Sequence, residues 1–532
     1  RRRRASATDG RAPTPRLRGS HLLVLILIAA AALRLWGLDQ GLPFTAARPD
    51  EREALAYTAG FPAGDLNPRW FIYPNFYFYL VWGWEELALG VRRLWRETPP
   101  YPTMLETELP SLILYGRLLS AAAGTATVAL LYAVGRRVGG ARLGMVAAAL
   151  LAGNYLHVRD SHALKPDVLL AAGVLVSLWL LARYAAAPDR RSAAVAGLSI
   201  GLTMAIKYNG ILLLAAAYLA GVLASPHAGA RRLVPAVEVV LCAGVALATF
   251  VVASPYLVLD LERTRQTFRF STMAVYAARP ALGRAFGYHL AVSLRRGSGL
   301  AMTLATPLAL VVALRSRAPM LVLAAAFSAL YFVVIGASPV HLARYLTPLV
   351  PLLALLVAHL LLATTGRARP LVVGVLACAL LAEPVLSAIA YDRIVARTDT
   401  RVLATQWMAA HLPAGAVVAV LGSLYFPVAD PDLPPGVTRA SLVPGETDLA
   451  SHGVTHVVTH WHHQLTAFSQ PPLAQMAALL PHLRLLAEFS PFAGVPAGAF
   501  EQEDAYYVPF FHFDGVERPG PFVRVYAYEP RP

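Results

Sequence analysis

Eleven apolar runs dominate this chain, at about 21–38, 111–134, 142–158, 167–184, 193–206, 208–225, 234–255, 289–314, 319–337, 345–363 and 370–391. Runs of this length are solvated by lipid, where a backbone has to satisfy its own hydrogen bonds and therefore coils into helices. Composition agrees: 57% of residues are hydrophobic, 14% are charged, and the mean hydropathy is +0.53. Soluble domains carry roughly a quarter charged residues. The predicted fold class is a polytopic α-helical membrane protein with about eleven transmembrane helices.

A formal charge of +15 would suit a nucleic-acid binder, but its distribution excludes one. Residues 1–18 carry seven Arg and one Asp, whereas residues 393–532 carry eight Arg against twelve Asp plus Glu. The remaining positive charge falls in every second loop, as Arg136-Arg137, Arg190-Arg191, Arg231-Arg232, Arg315 with Arg317, and Arg367 with Arg369. Arginine-rich loops stay in the cytoplasm. The other loops, 39–110, 159–166, the Lys207 turn, 254–288 and 338–344, are then extracytoplasmic. Residues 1–20 read as a disordered cytoplasmic tail. A cleaved signal peptide is the rival, but Arg34-Leu-Trp stands where small cleavage-site residues belong. The two cysteines, Cys242 and Cys378, lie inside apolar runs, which excludes a disulfide framework and a cysteine zinc site.

One apolar segment breaks the alternation. Residues 73–94 are aromatic and carry Glu85-Glu86 mid-run; counted as a span, they would move every Arg pair outside. They are expected to form an interfacial helix in a long first outer loop, 39–110. The transmembrane domain is then 21–392 in the inner (plasma) membrane. From 393 to 532 the pattern turns soluble, with short β-rich runs beginning at 415, 454 and 521 and a helical stretch near 473–487. This predicts an extracytoplasmic α/β domain.

The unusual polar residues crowd the outer loops. Arg48-Pro-Asp50-Glu51 follows the first span, and adjacent carboxylates there suit a general base or the hard ligands of a divalent ion. They suit a helix amino terminus equally well. Between the third and fourth spans, Arg159, Asp160, Lys165 and Asp167 share a short loop with His157 and His162. Arg159 and Lys165 can hold a phosphate, and Asp160 and Asp167 can bind hydroxyls or a metal; mutual pairing at two helix ends is the plain alternative. Lys207, one of only two lysines, and Arg344 occupy outer turns where a phosphate or a snorkelling side chain fits. Arg117 lies near the outer end of the second span, where it can reach an anion or pair with another helix. In the soluble region, His452, His456, His460, His462 and His463 invite a metal reading, but His456, His460 and His462, which share one strand face, have no carboxylate nearby in sequence. No nucleophile elbow, Gly-rich nucleotide loop or HExxH motif is present. A phosphate-bearing lipid substrate fits better than a nucleotide. A flippase that moves lipid-linked sugars without chemistry is the rival class, but neither pseudo-symmetric halves nor midplane polar residues are evident.

Taken in order, 48–51 (RPDE), 117–137 (RLLSAAAGTATVALLYAVGRR), 158–170 (VRDSHALKPDVLL), 201–210 (GLTMAIKYNG), 254–260 (SPYLVLD) and 344–355 (RYLTPLVPLLAL) resemble the GT-C superfamily of membrane glycosyltransferases. The nearer likeness is to bacterial relatives of the protein O-mannosyltransferases and of the lipid A aminoarabinose transferases. Segments 399–408 (DTRVLATQWM), 507–510 (YVPF) and 518–521 (RPGP) resemble the soluble tails of those proteins. The resemblance implies sugar transfer from a polyprenyl-phosphate donor to a protein, lipid or glycan acceptor outside the cytoplasm. It implies Asp50 as the base that engages the acceptor, with Glu51 beside it. Asp167 matches the second acidic motif, with Asp160 as an additional acid, and Lys165, Lys207 and Arg344 would face the donor phosphate. Arg48 stands where many bacterial relatives have His. Neutralisation of phosphate by Arg48 therefore stays open beside a divalent cation on Asp50, Glu51 and Asp167. The partners expected are the lipid bilayer, the lipid-linked donor and an acceptor, with no nucleic acid.

Overall fold

The computed structural model describes residues 19–225, 237–271, 284–366, 369–422, 430–443, 445–462, 473–494, 500 and 504–529. The expected tail (1–18), Arg231-Arg232, Arg367 and His463 lie outside the described residues. The chain opens with α1 (Gly19–Leu35), α2 (Pro49–Ala56), α3 (Asn75–Arg92), α4 (Tyr101–Thr107) and α5 (Leu109–Ala152). It continues through α6 (Tyr155–Asp160), α7 (Pro166–Ala186), α8 (Arg190–Ile206), α9 (Leu213–Ala224) and α10 (Val237–Ala253). Helix thus lies over every apolar run, but not every helix is span-sized. Among the described residues, five helical segments are long and apolar enough to cross a membrane: 109–152, 166–186, 319–337, 343–365 and 370–411. The helices at 20–35, 208–224 and 237–253 are apolar but shorter.

Two glycines break helices, one in the loop expected between runs 111–134 and 142–158 and one inside a run read as a single span. In α5, Gly140 takes φ +87 directly after the Arg136-Arg137 pair and folds the segment into two arms. The arms pack so closely that a side chain on Gly135 would stand 2.8 Å from the Gly144 backbone. The run 289–314, read as one span, is bent by 114° at Gly299, which takes φ +85. Glu383 steadies that break by accepting bonds from Arg295 and from the Leu300 N–H at 2.7 Å. Segments α11 (Tyr256–Leu259), α12 (Leu261–Phe270), α13 (Arg284–Tyr288) and α14 (Arg295–Ser298) precede the break, and α15 (Leu300–Leu314) follows it. Then come α16 (Pro319–Ala337), a 3₁₀ turn (Ala343–Leu349), α17 (Val350–Thr365) and α18 (Pro370–Val395).

Helix α3 packs one face against the rest of segment 39–113 through Tyr77, Phe78, Val81 and Leu89, and Glu85 is buried among them. Glu86 points away, 3.9 Å from Arg93. Loop 39–110 is fastened to loop 254–288 by Asn67 donating to Asp260 at 2.7 Å and by Tyr256 N–H donating to Asn75 at 3.0 Å.

After α19 (Thr400–His411), the chain forms β1 (Val417–Leu421), β2 (Thr438–Arg439), β3 (His456–Trp461), α20 (Leu473–Leu479), β4 (Leu483–Phe489) and β5 (Phe522–Tyr528). The sheet order is β2-β1-β3-β5-β4, with β1 parallel to β2 and β3, and β5 antiparallel to β3 and β4. The helix expected over 473–487 is corrected: it stops at 479, and 483–489 is strand. Pairing with β5 decides the matter, supported by Arg484–Glu529 (2.6 Å) and Arg524–Glu488 (2.8 Å) across the ladder.

Candidate active site

The local sequence builds α2 so that Asp50 and Glu51 cannot share a fate. Arg48 is extended (φ −134, ψ 95), as a residue before proline must be, and Pro49 opens the helix. The two acids fall in the first turn, where the helix dipole favours them. Being consecutive, they point in different directions. Glu51 turns inward and is fully buried. It accepts bonds from Arg117 Nε (3.0 and 3.1 Å) and Nη2 (2.7 Å), and from the Leu164 N–H (2.9 Å). The rest of Arg117 donates to the carbonyls of Leu38 (2.9 Å) and Gln40 (2.8 Å).

Asp50 keeps 35% of its side chain exposed. Its Oδ2 accepts from Lys165 Nζ at 2.8 Å and lies 3.6 Å from Arg344 Nη2. The Lys165 ammonium, with help from Arg344, holds the Asp50 carboxyl down to about 2 although burial pushes it up. Local backbone geometry sets both cations. Lys165 is extended (φ −142, ψ 154) before Pro166, the first residue of α7. Arg344 lies in the 3₁₀ turn that leads to Pro348.

Behind this pair lies a residue that sequence reading missed. Asp504 bonds Arg344 through one oxygen and Arg159 through the other, at 3.1 Å, and its backbone carbonyl accepts from Arg159 as well. Burial alone would raise its carboxyl, but Arg344, Arg159 and Lys165 together hold it well below the usual carboxylate range. Two residues on, Tyr506 lays its ring 5.0 Å from Lys165 Nζ and 6.0 Å from the Arg48 guanidinium. Phe510 lies 4.9 Å from the Arg159 guanidinium. Tyr506 (φ 47) and Tyr507 (φ 64) both take left-handed backbone, which costs aromatic residues of the order of 1–3 kcal/mol each. Nothing near 504 in the sequence marks it, since its partners are 160 and 345 residues away.

The remaining candidates are placed as follows. Asp160 accepts from Arg159 at 3.0 Å and from the Thr347 hydroxyl. Asp167 Oδ1 accepts from Lys207 at 2.6 Å, and its Oδ2 has no partner among the described residues. Lys207 also lies 4.9 Å from the Tyr345 ring. Arg48 donates to the Tyr391 hydroxyl at 2.8 Å and to Gln40 at 3.3 Å. Asp50, Lys165, Arg344, Arg159, Asp160 and Asp504 thus form one connected network. Glu51 and Arg117 form a separate pair beneath it, as do Asp167 and Lys207.

Each of the three acids named for a divalent cation faces a basic side chain. Asp50 is matched to Lys165, Glu51 to Arg117 and Asp167 to Lys207. No three His, Cys, Asp or Glu residues gather as a metal site among the described residues. The histidines of the C-terminal region disperse too. His460 shares a 2.6 Å bond with Asp430, His452 a 2.8 Å bond with Glu446, and His462 packs against Phe492, Phe500 and Tyr507.

Residues 110–258 match the family model described as dolichyl-phosphate-mannose-protein mannosyltransferase. No curated protein sequence matches the chain. Among solved structures, ArnT from Cupriavidus metallidurans bound to undecaprenyl phosphate aligns at 18% identity and TM-score 0.52, over 96% of this chain and 99% of that one. The apo oligosaccharyltransferase of Archaeoglobus fulgidus aligns at 11% identity and TM-score 0.52, over 97% and 89%. The AglB complex from the same organism, with an inhibitory peptide and a dolichol-phosphate, aligns at 11% and TM-score 0.50, over 96% and 88%. At these identities the likeness establishes the fold. The chain shares the overall architecture of these neighbours.

Proposed function

We propose that this chain is a glycosyltransferase that moves a sugar from a polyprenyl-phosphate carrier to an acceptor on the extracytoplasmic face of the membrane, with Asp50 as base. The observation that carries this reading is one carboxylate, partly open to solvent, bonded to a buried lysine and beside a buried arginine. Such a site can accept a proton on one side while its cations receive a leaving phosphate on the other. The acceptor hydroxyl attacks the anomeric carbon, its proton passes to Asp50, and the bond from that carbon to the phosphate oxygen breaks. Attack opposite the phosphate inverts the anomeric centre. Lys165 and Arg344 hold the departing phosphate, Arg159 and Arg48 add positive charge behind them, and Lys207 with Asp167 lines the donor side.

Asp50 at rest is a weak base, because Lys165 and Arg344 stabilise its charge. A donor phosphate on the same two cations weakens that hold and raises the affinity of Asp50 for a proton. Donor binding therefore prepares the base. Glu51 and Arg117 act by fixing α2, and through it Asp50. A cavity of about 640 Å³ lies beside Asp50's helix, between α2 and residues 430–439, lined in part by Pro49, Arg52, Glu53, Asp432 and Arg439.

The test is turnover and donor binding measured separately on purified protein with a synthetic polyprenyl-phosphate sugar. Asp50→Asn should lower turnover by about 10²–10⁴-fold without weakening donor binding, since the charge it removes competes with phosphate for Lys165 and Arg344. Lys165→Ala and Arg344→Ala should weaken donor binding as well. If Asp50→Asn retains more than about a third of turnover, far above what loss of a base allows, Asp50 is not the base. Movement of intact donor between leaflets without glycoside formation would favour a flippase.

A further inference from the structure

We propose that Asp504 is the resting occupant of the donor-phosphate site, so that a polyprenyl phosphate binds by exchange with this carboxylate and releases the strap 504–510. The proposal rests on the donor-site reading above and adds to it a residue from the far end of the chain. Asp504 is 2% exposed and bridges two guanidinium groups, one oxygen on Arg344 and the other on Arg159 at 3.1 Å. Two oxygens of one anion shared between two arginines is also how a phosphate is held. Arg344, itself 9% exposed, leaves its Nε without a hydrogen-bond partner. A carboxylate is planar and its two oxygens are already taken. A phosphate carries its oxygens in a tetrahedron and can reach a further donor.

The strap that delivers Asp504 rests on the same cations. Tyr506 covers Lys165 and Arg48, and Phe510 covers Arg159. Its backbone is left-handed at Tyr506 and at Tyr507, a conformation that side-chain contacts must maintain. If a phosphate entered while Asp504 stayed, two anions would face each other in a buried site, where repulsion is poorly screened. Exchange removes that repulsion. After sugar transfer the lipid phosphate becomes a monoester with greater charge, and Asp504 competes with it for Arg344 and Arg159 on the way back. The C-terminal region thereby reports donor occupancy at the membrane.

Full-length protein in detergent, with undecaprenyl phosphate as probe, tests the exchange. Asp504→Asn removes the competing charge and should tighten binding about fivefold or more, whereas Arg344→Ala should weaken it. In a Cys242→Ser/Cys378→Ser background, Ala505→Cys, at a position 3% exposed, should react faster with a water-soluble maleimide once the lipid is added. Unchanged or weaker binding by folded Asp504→Asn overturns the exchange. Should that variant not fold, labelling of Ala505→Cys that ignores the lipid overturns it instead. A wild-type protein that binds no undecaprenyl phosphate, with Arg344→Ala indistinguishable from it, sinks the donor-site reading itself.

Discussion

Asp50 is the residue whose chemistry depends most on what its neighbours are doing. Its carboxyl is held at about 2 against an ordinary value of 3.8, first by Lys165. A depressed carboxyl contributes stability that is present above its unfolded value and is lost as pH falls through the folded one. The stability that the Asp50–Lys165 contact contributes is therefore full just above about pH 4 and is lost between about 4 and 2. The profile of kcat/KM follows the free enzyme and that of kcat follows the loaded one. The acid limb due to Asp50 should accordingly lie at higher pH in kcat than in kcat/KM, because bound phosphate draws on Lys165 and Arg344. Coincident limbs would show that the phosphate does not share those cations. Asp50 and Lys165 stood out in sequence as charged residues in short stretches between apolar runs. The division of labour between Asp50 and Glu51 did not, since only Arg117 and the Leu164 N–H show that Glu51 turns inward.

At the scale of elements, the Glu51–Arg117 pair ties α2 to α5 inside a buried, fully bonded contact. Removing one partner strands the other charge. Arg117→Met should destabilise the fold by about 3–5 kcal/mol, and the double variant Glu51→Met/Arg117→Met should be less destabilised than Arg117→Met alone. Thermal unfolding in detergent checks this, and donor affinity of the folded fraction should be kept. A stable Arg117→Met with lost donor affinity would instead return Arg117 to the phosphate. Helix positions were readable from hydropathy, because lipid imposes one backbone solution on any long apolar run. The break at Gly299 and the conversion of 483–489 to strand were not. Each depends on a partner distant in sequence, Glu383 in the first case and β5 in the second.

Across the whole molecule, loops 39–110, 159–166, the Lys207 turn and 338–344 meet at one end of the bundle together with residues 504–510. Loop 254–288 joins the same end through Asp260 and Tyr256. These are the loops without arginine pairs. If the paired arginines are cytoplasmic, an impermeant maleimide applied to intact cells should label Ala450→Cys and spare Arg136→Cys in a cysteine-free background. The opposite pattern would invert the topology. Sequence alone determined the lipid solvent, the positions of the apolar helices, the charge alternation and the acids and lysines at loop ends. All of these are local properties, written within about twenty residues, a bilayer's thickness of helix. Only the tertiary structure decided which acid faces solvent, that Arg117 serves Glu51, and that Asp504 enters the cation cluster. An ion pair between residues 345 apart depends on how the chain folds back, and neither residue's neighbours in sequence carry any trace of the other.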